Sequence, residues 1–172
     1  MISEKIVNAL NKQVNAEYYS AYLYHAMSAY ADSLSFRGIA NWCFVQAQEE
    51  MAHGLNIYKY ILERGAQPVF EEISAPPHSF SSIDEMFQVF LSHEEEVTRS
   101  INNIATLAMQ ENDHACYQFI MWYVNEQVEE VSTAKGILDK INMMEGDKRL
   151  LLSLDKEFEA RVFVNPFPEI MN

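Results

Sequence analysis

Glu50 and His53 stand three residues apart, which on a helix puts a carboxylate and an imidazole on one face. Carboxylate oxygen with one imidazole nitrogen suits Fe(II), Mn(II) or Zn(II). More acidic residues fall where apolar ones belong. At helical spacing, Ile83, Phe87, Phe90, Glu94, Val97, Ile101, Ile104 and Ala108 are apolar except for Glu94. Cys116, Ile120, Tyr123, Gln127, Glu130, Ala134, Ile137 and Ile141 are broken at Gln127 and Glu130. Ile39, Trp42, Gln46, Glu50, His53, Ile57 and Tyr60 form a third such stripe. Ile6, Leu10, Gln13, Glu17, Ser20, Tyr24 and Met27 form a fourth. Each stripe therefore carries one acid on its buried face: Glu17, Glu50, Glu94 and Glu130.

Energetics give this pattern its meaning. An ionised carboxylate costs several kcal/mol to bury, even after relaxation. Four that repel one another would rival a domain's whole stability of about 5–15 kcal/mol. Protonation relieves the cost, at the expense of stability near neutral pH. Divalent cations relieve it better, by turning repulsion into coordination. Two such ions match the charge of four carboxylates, with Glu50 placed to bridge them.

Each residue has a plainer reading. His53 alone is a hydrogen-bonded core histidine. Tyr24 and Trp122 are packing residues. Met51 and the other methionines are core fillers. Glu49, Glu126 and Glu129 neighbour the stripe acids but are rotated off the core, as on a solvated acidic face. Glu95 and Glu96 also fall off their stripe. The metal reading rests on the recurrence of the anomaly on four stripes.

Four long helices must present these stripes. The first is predicted from about Ser3 to Ala31. Asp32 to Ser35 is a turn, with Ser35 as N-cap of a second helix that runs to about Arg64 and stops at Gly65. Residues 65–82 hold Gly65, Pro68, Pro76 and Pro77 and are predicted to be extended. Ser82-Ile83-Asp84-Glu85 matches a capping box for a third helix, reaching about Gln110. After a turn at 111–113 the fourth runs to about Asn142. A short fifth helix is predicted over about 147–160, and the apolar tail 161–172 is not helical. Helices of about 28 residues span roughly 42 Å. The 18-residue connection is long enough to recross that length. The expectation is an all-α fold, an antiparallel four-helix bundle (about 3–142) with one long crossover, in a single domain over 1–172. Glu17 and Glu50 are equidistant from the first turn, as Glu94 and Glu130 are from the second, so all four acids meet at mid-bundle.

Composition narrows the classes. The chain has 172 residues, 49% hydrophobic and 12% aromatic, which excludes disorder. Five Gly and five Pro are few for an all-β fold. A net charge of −13 opposes nucleic acid and anionic membranes and favours cationic partners. Cys43 and Cys116 form no disulfide framework. No signal peptide or membrane span is read, so a cytoplasmic protein is expected.

These residues resemble those of the ferritin family: Glu17 with Tyr24, Glu49-Glu50-x-x-His53, Glu94, Trp122-Tyr123, and Glu126-Gln127-x-Glu129-Glu130. The ferritin-like di-iron proteins build their sites from glutamates and Glu-x-x-His motifs on four helices. A bacterioferritin would carry a second Glu-x-x-His; here Gln127-x-x-Glu130 stands in its place, as in the non-haem ferritins of bacteria and archaea. Haem is not expected, although Met51 follows Glu50 where bacterioferritins carry a haem-ligating Met. The resemblance implies that Glu17, Glu50 and His53 hold one iron. It implies that Glu50, Glu94 and Glu130 hold the second, with Tyr24 and Gln127 hydrogen-bonded around the pair. Glu49, Glu126, Glu129 and Glu130 resemble the third iron site of that group. The implied activity is ferroxidation of Fe(II) by O2 or hydrogen peroxide. The Fe(III) is stored as mineral in a hollow homo-oligomeric shell of about 24 subunits.

Two other functions compete at this stage. One is a di-iron oxidase or peroxidase on the same bundle that stores nothing. The other is a structural bundle whose buried acids are protonated. A DNA-protecting miniferritin is disfavoured by the charge and by a ligand set confined to one chain.

Overall fold

The computed structural model describes residues 2–144 and 146–168. Five helices form among them: α1 (Glu4–Ser33), α2 (Arg37–Glu63), α3 (Ile83–Gln110), α4 (His114–Met143) and α5 (Lys148–Phe158). No strand is present among the described residues. Helix α1 pairs with α2 and α3 with α4, α1 also packs on α3, and α5 packs on α2. This is the expected four-helix bundle with a long crossover and a short fifth helix. No helix among the described residues is long and apolar enough to cross a membrane.

Most boundaries follow local chemistry. Ser82 Oγ accepts the Glu85 N–H at 3.0 Å. The Glu85 carboxylate returns to the N–H of Ser81, one residue before the position a capping box would use. Asp113 caps α4 by accepting the Cys116 N–H at 3.0 Å. Gly65 ends α2 with φ 74, a left-handed conformation that glycine adopts without strain. Ser35 departs from expectation. It takes φ 67 to make the turn, and Phe36 becomes the N-cap, with no side-chain cap of its own. The missing acceptor comes from α5: Asp155 Oδ1 accepts the Ile39 N–H at 2.8 Å.

The crossover is extended and anchored. Asn11 Oδ1 accepts the Val69 N–H at 3.0 Å, and Phe70 stacks on Tyr18 and Tyr58. Beyond α5, the chain to Phe167 forms no α-helix. Phe167 is buried. Residues 169–172 of the predicted tail lie outside the described residues.

Two buried apolar clusters fill the bundle. One contains Met27, Trp42, Phe87 and Phe90. The other contains Ile6, Leu10, Ile57 and Ile101. Each large side chain so buried contributes about 1.5–3 kcal/mol. Between them lies a buried polar layer of Gln13, Glu17, Ser20, Gln46, Glu50, His53, Glu94, Gln127 and Glu130. These residues forgo that contribution, so the layer is where the fold trades stability for chemistry. Two stripe positions sit further out than predicted, since Tyr60 and Ile141 are half-buried. The methionines divide. Met27 and Met86 fill the core, but Met51 and Met109 are exposed, because each is turned about 100° from its buried neighbour.

Candidate metal centre

Glu17, Glu50 and His53 each bring a ligand atom to within 4.8 Å of the others, all three buried. Helix α1 supplies the first and one turn of α2 the other two. Gln13, one turn before Glu17, donates to its Oε1 at 3.0 Å. His53 Nδ1 lies 3.2 Å from Glu50 Oε2. Glu17 Oε2 and His53 Nε2 are buried without a hydrogen-bond partner. Such orphaned polar atoms are rare in a finished core. Burial pushes the Glu17 carboxyl well above its usual range, and the facing Glu50 pushes it further. Burial and then Glu94 raise Glu50 in the same way. A divalent cation among these atoms would satisfy the orphans and offset the repulsion, so the donor set fits the metal implied by the sequence.

Glu94 and Glu130 lie in the same layer but outside that trio. Glu94 accepts from the Tyr24 hydroxyl and, through Oε2, from Gln127 Nε2 at 2.9 Å. Burial raises its pKa, and these two hydrogen bonds oppose the rise. Glu130 Oε1 accepts from Gln46 Nε2 at 2.7 Å, and its carboxyl is held well up by burial, then by Glu94 and Glu50. Tyr24 and Gln127 thus meet one carboxylate, and Gln46 another. Gln13 and Gln46 carry no assigned role in the sequence; their signal there is a polar side chain one turn before the stripe acids Glu17 and Glu50.

Aromatic groups wall the histidine side. His53 meets the rings of Trp122 at 5.3 Å and Tyr123 at 5.9 Å. The Tyr123 hydroxyl donates to the His53 carbonyl at 2.9 Å. Phe167, from the tail, packs on Trp122 at 4.5 Å and also faces His53. The apolar tail suits a contact surface, and nothing local in its sequence marks Phe167 for this role.

The second acidic group is looser. Glu49 and Glu126 are half-buried and Glu129 is exposed. Burial raises the Glu49 carboxyl, while Arg161 opposes the rise from 2.5 Å. Burial also raises Glu126.

Comparison with known proteins agrees on the fold and the family. A family model described as a ferritin-like domain matches residues 7–144. The chain is 43% identical over 163 residues to a bacterial non-heme ferritin of Staphylococcus aureus (strain USA300), covering 95% of this chain and 98% of that one. It is 42% identical, with the same coverage, to a bacterial non-heme ferritin of Staphylococcus haemolyticus. It matches the solved structure of an open pore ferritin from the archaeon Archaeoglobus fulgidus with a TM-score of 0.93 and 44% identity, covering 94% of this chain and all of that one. With family model, near-full-length relatives and fold in agreement, the chain belongs to the ferritin family.

Proposed function

We propose that this protein stores iron, and that it oxidises Fe(II) at the buried layer before depositing Fe(III) as mineral. The observation that carries the reading is the buried trio Glu17, Glu50 and His53 with its two orphaned atoms. On this reading the 172 residues act as one cytoplasmic domain. Relatives named non-heme ferritins lend iron as the substrate.

Glu17, Glu50 and His53 would hold one Fe(II), and Glu50, Glu94 and Glu130 a second. Four carboxylates balance two divalent ions. Each Fe(II) gives up one electron. O2 takes both, with two protons, and leaves as hydrogen peroxide; hydrogen peroxide itself would take both electrons and two protons and leave as two waters. Gln13, Gln46, Tyr24 and Gln127 orient the carboxylates through the hydrogen bonds described above. The Tyr24 phenol, pushed well above its usual range by burial and then by Glu94, keeps its proton and remains a donor. Trp122, Tyr123 and Phe167 keep bulk water from His53. Glu49, Glu126, Glu129 and Glu130 would hold a third ion in passage. Storage requires a closed assembly, and the reading takes this to be a shell of about 24 copies.

Glu50→Ala should slow stopped-flow Fe(II) oxidation by about 100-fold or more, since even a residue that only orients a ligand contributes 10–100-fold. Assembly should be intact. Glu49→Ala and Glu126→Ala should leave the first two-iron turnover largely present. Oxidation at the wild-type rate in Glu50→Ala would overturn the assignment.

A further inference from the structure

Arg161 lies three residues past the end of α5, yet it is fixed in place. Its Nη2 donates to Glu49 Oε2 at 2.5 Å, with the two side chains 26% and 20% exposed. Its Nη1 donates to the Trp42 carbonyl at 3.3 Å. Its guanidinium lies over the Trp42 ring, 4.7 Å from the centroid. Its own carbonyl accepts from Asn41 Nδ2 at 2.9 Å, and Asn41 also donates to the Phe158 carbonyl. The charge is permanent, because a guanidinium is not deprotonated in proteins.

We propose that Arg161 is a resident cation of the third acidic site, which a metal ion must displace from Glu49 before it can bind there. This rests on the reading of Glu49, Glu126, Glu129 and Glu130 as that site. Glu49 is the only one of these four with an Arg or Lys partner among the described residues. A divalent ion and the guanidinium compete for the same carboxylate, and each repels the other. Displacement is local. Arg161 can leave Glu49 and stay on the face of Trp42, held by the Trp42 carbonyl and by Asn41. The exchange makes the third site weaker than the buried pair and quick to empty, as suits an ion in passage.

The test is isothermal titration of assembled, full-length apo-protein with Zn(II), which binds without redox chemistry. In Arg161→Gln, the third ion should bind about tenfold tighter, the scale of one charge-assisted hydrogen bond, with the first two unchanged. Arg161→Lys keeps the charge and should bind the third ion as wild type does. Trp42 gives a second readout. In a Trp122→Phe background, the third equivalent should shift tryptophan emission, and Arg161→Gln should abolish that shift. A third ion of equal or weaker affinity in Arg161→Gln, or equal tightening in Arg161→Lys, overturns the competition while leaving the third site standing. If neither wild type nor variant binds a third ion, the third-site reading falls and the proposal falls with it.

Discussion

Glu17 Oε2 and His53 Nε2 are buried polar atoms with no partner, in a core that satisfies most of the others. A side chain selected for stability alone would not be left so. The same residues make a pH prediction. In the unfolded chain these carboxyls release their protons near the ordinary value of 4.5. In the folded protein burial, then mutual repulsion, raises Glu17, Glu50 and Glu130 well above it. Above pH 4.5 the unfolded state therefore binds fewer protons than the folded one, and stability falls as pH rises. The melting temperature of metal-free protein should drop as pH rises above 4.5, and Zn(II) should reverse the drop. A flat or rising profile without metal would contradict the account. Gln46 makes a second prediction. Gln46→Leu removes the 2.7 Å bond to Glu130 and should slow Fe(II) oxidation by about tenfold. The glutamates could be read from sequence because a charge stands out on an apolar stripe. Arg161 could not, because the tail has no period against which a residue looks misplaced.

Helix α5 caps α2 from a distance. Asp155 takes the Ile39 N–H, and Gly38 lets the Asp155 backbone come close, since a Cβ at 38 would run into the Asp155 carbonyl oxygen. Asp155→Ala should cost about 1–2 kcal/mol, as other lost N-caps do, and should speed amide exchange in α5. Unchanged stability to guanidinium chloride would show the cap to be idle. Gly38→Ala should release α5 in the same way. This contact marks the limit of sequence reading at the scale of elements. The Ser82 and Asp113 caps lie within three residues of the N–H groups they serve, so a short window holds them. Asp155 is 116 residues from Ile39. Without that knowledge Ser35 looked like the cap, and its left-handed turn was hidden. The four long helices were legible because their apolar period runs for many turns on either side of the polar layer.

At the scale of the molecule, a charge of −13 and a buried acidic layer suit a protein that gathers cations. Phe44 and Met51 are each 48% exposed, and both lie beside His25, Phe44 against its ring and Met51 along the same groove. An apolar face of this kind is what the shell reading needs for contact with a second copy. Light scattering should give a mass near that of about 24 chains, and Phe44→Glu should lower it. A monomer in the unmodified protein would favour an oxidase that stores nothing. The most direct test of the central claim is anaerobic Fe(II) titration of sized apo-protein, followed by O2, with absorbance and iron content recorded. An iron-storing ferroxidase binds two or three Fe(II) per chain, oxidises them fast, and then holds far more iron in a large particle. Two irons oxidised with no further accumulation would contradict storage, and no binding at all would contradict the metal centre itself.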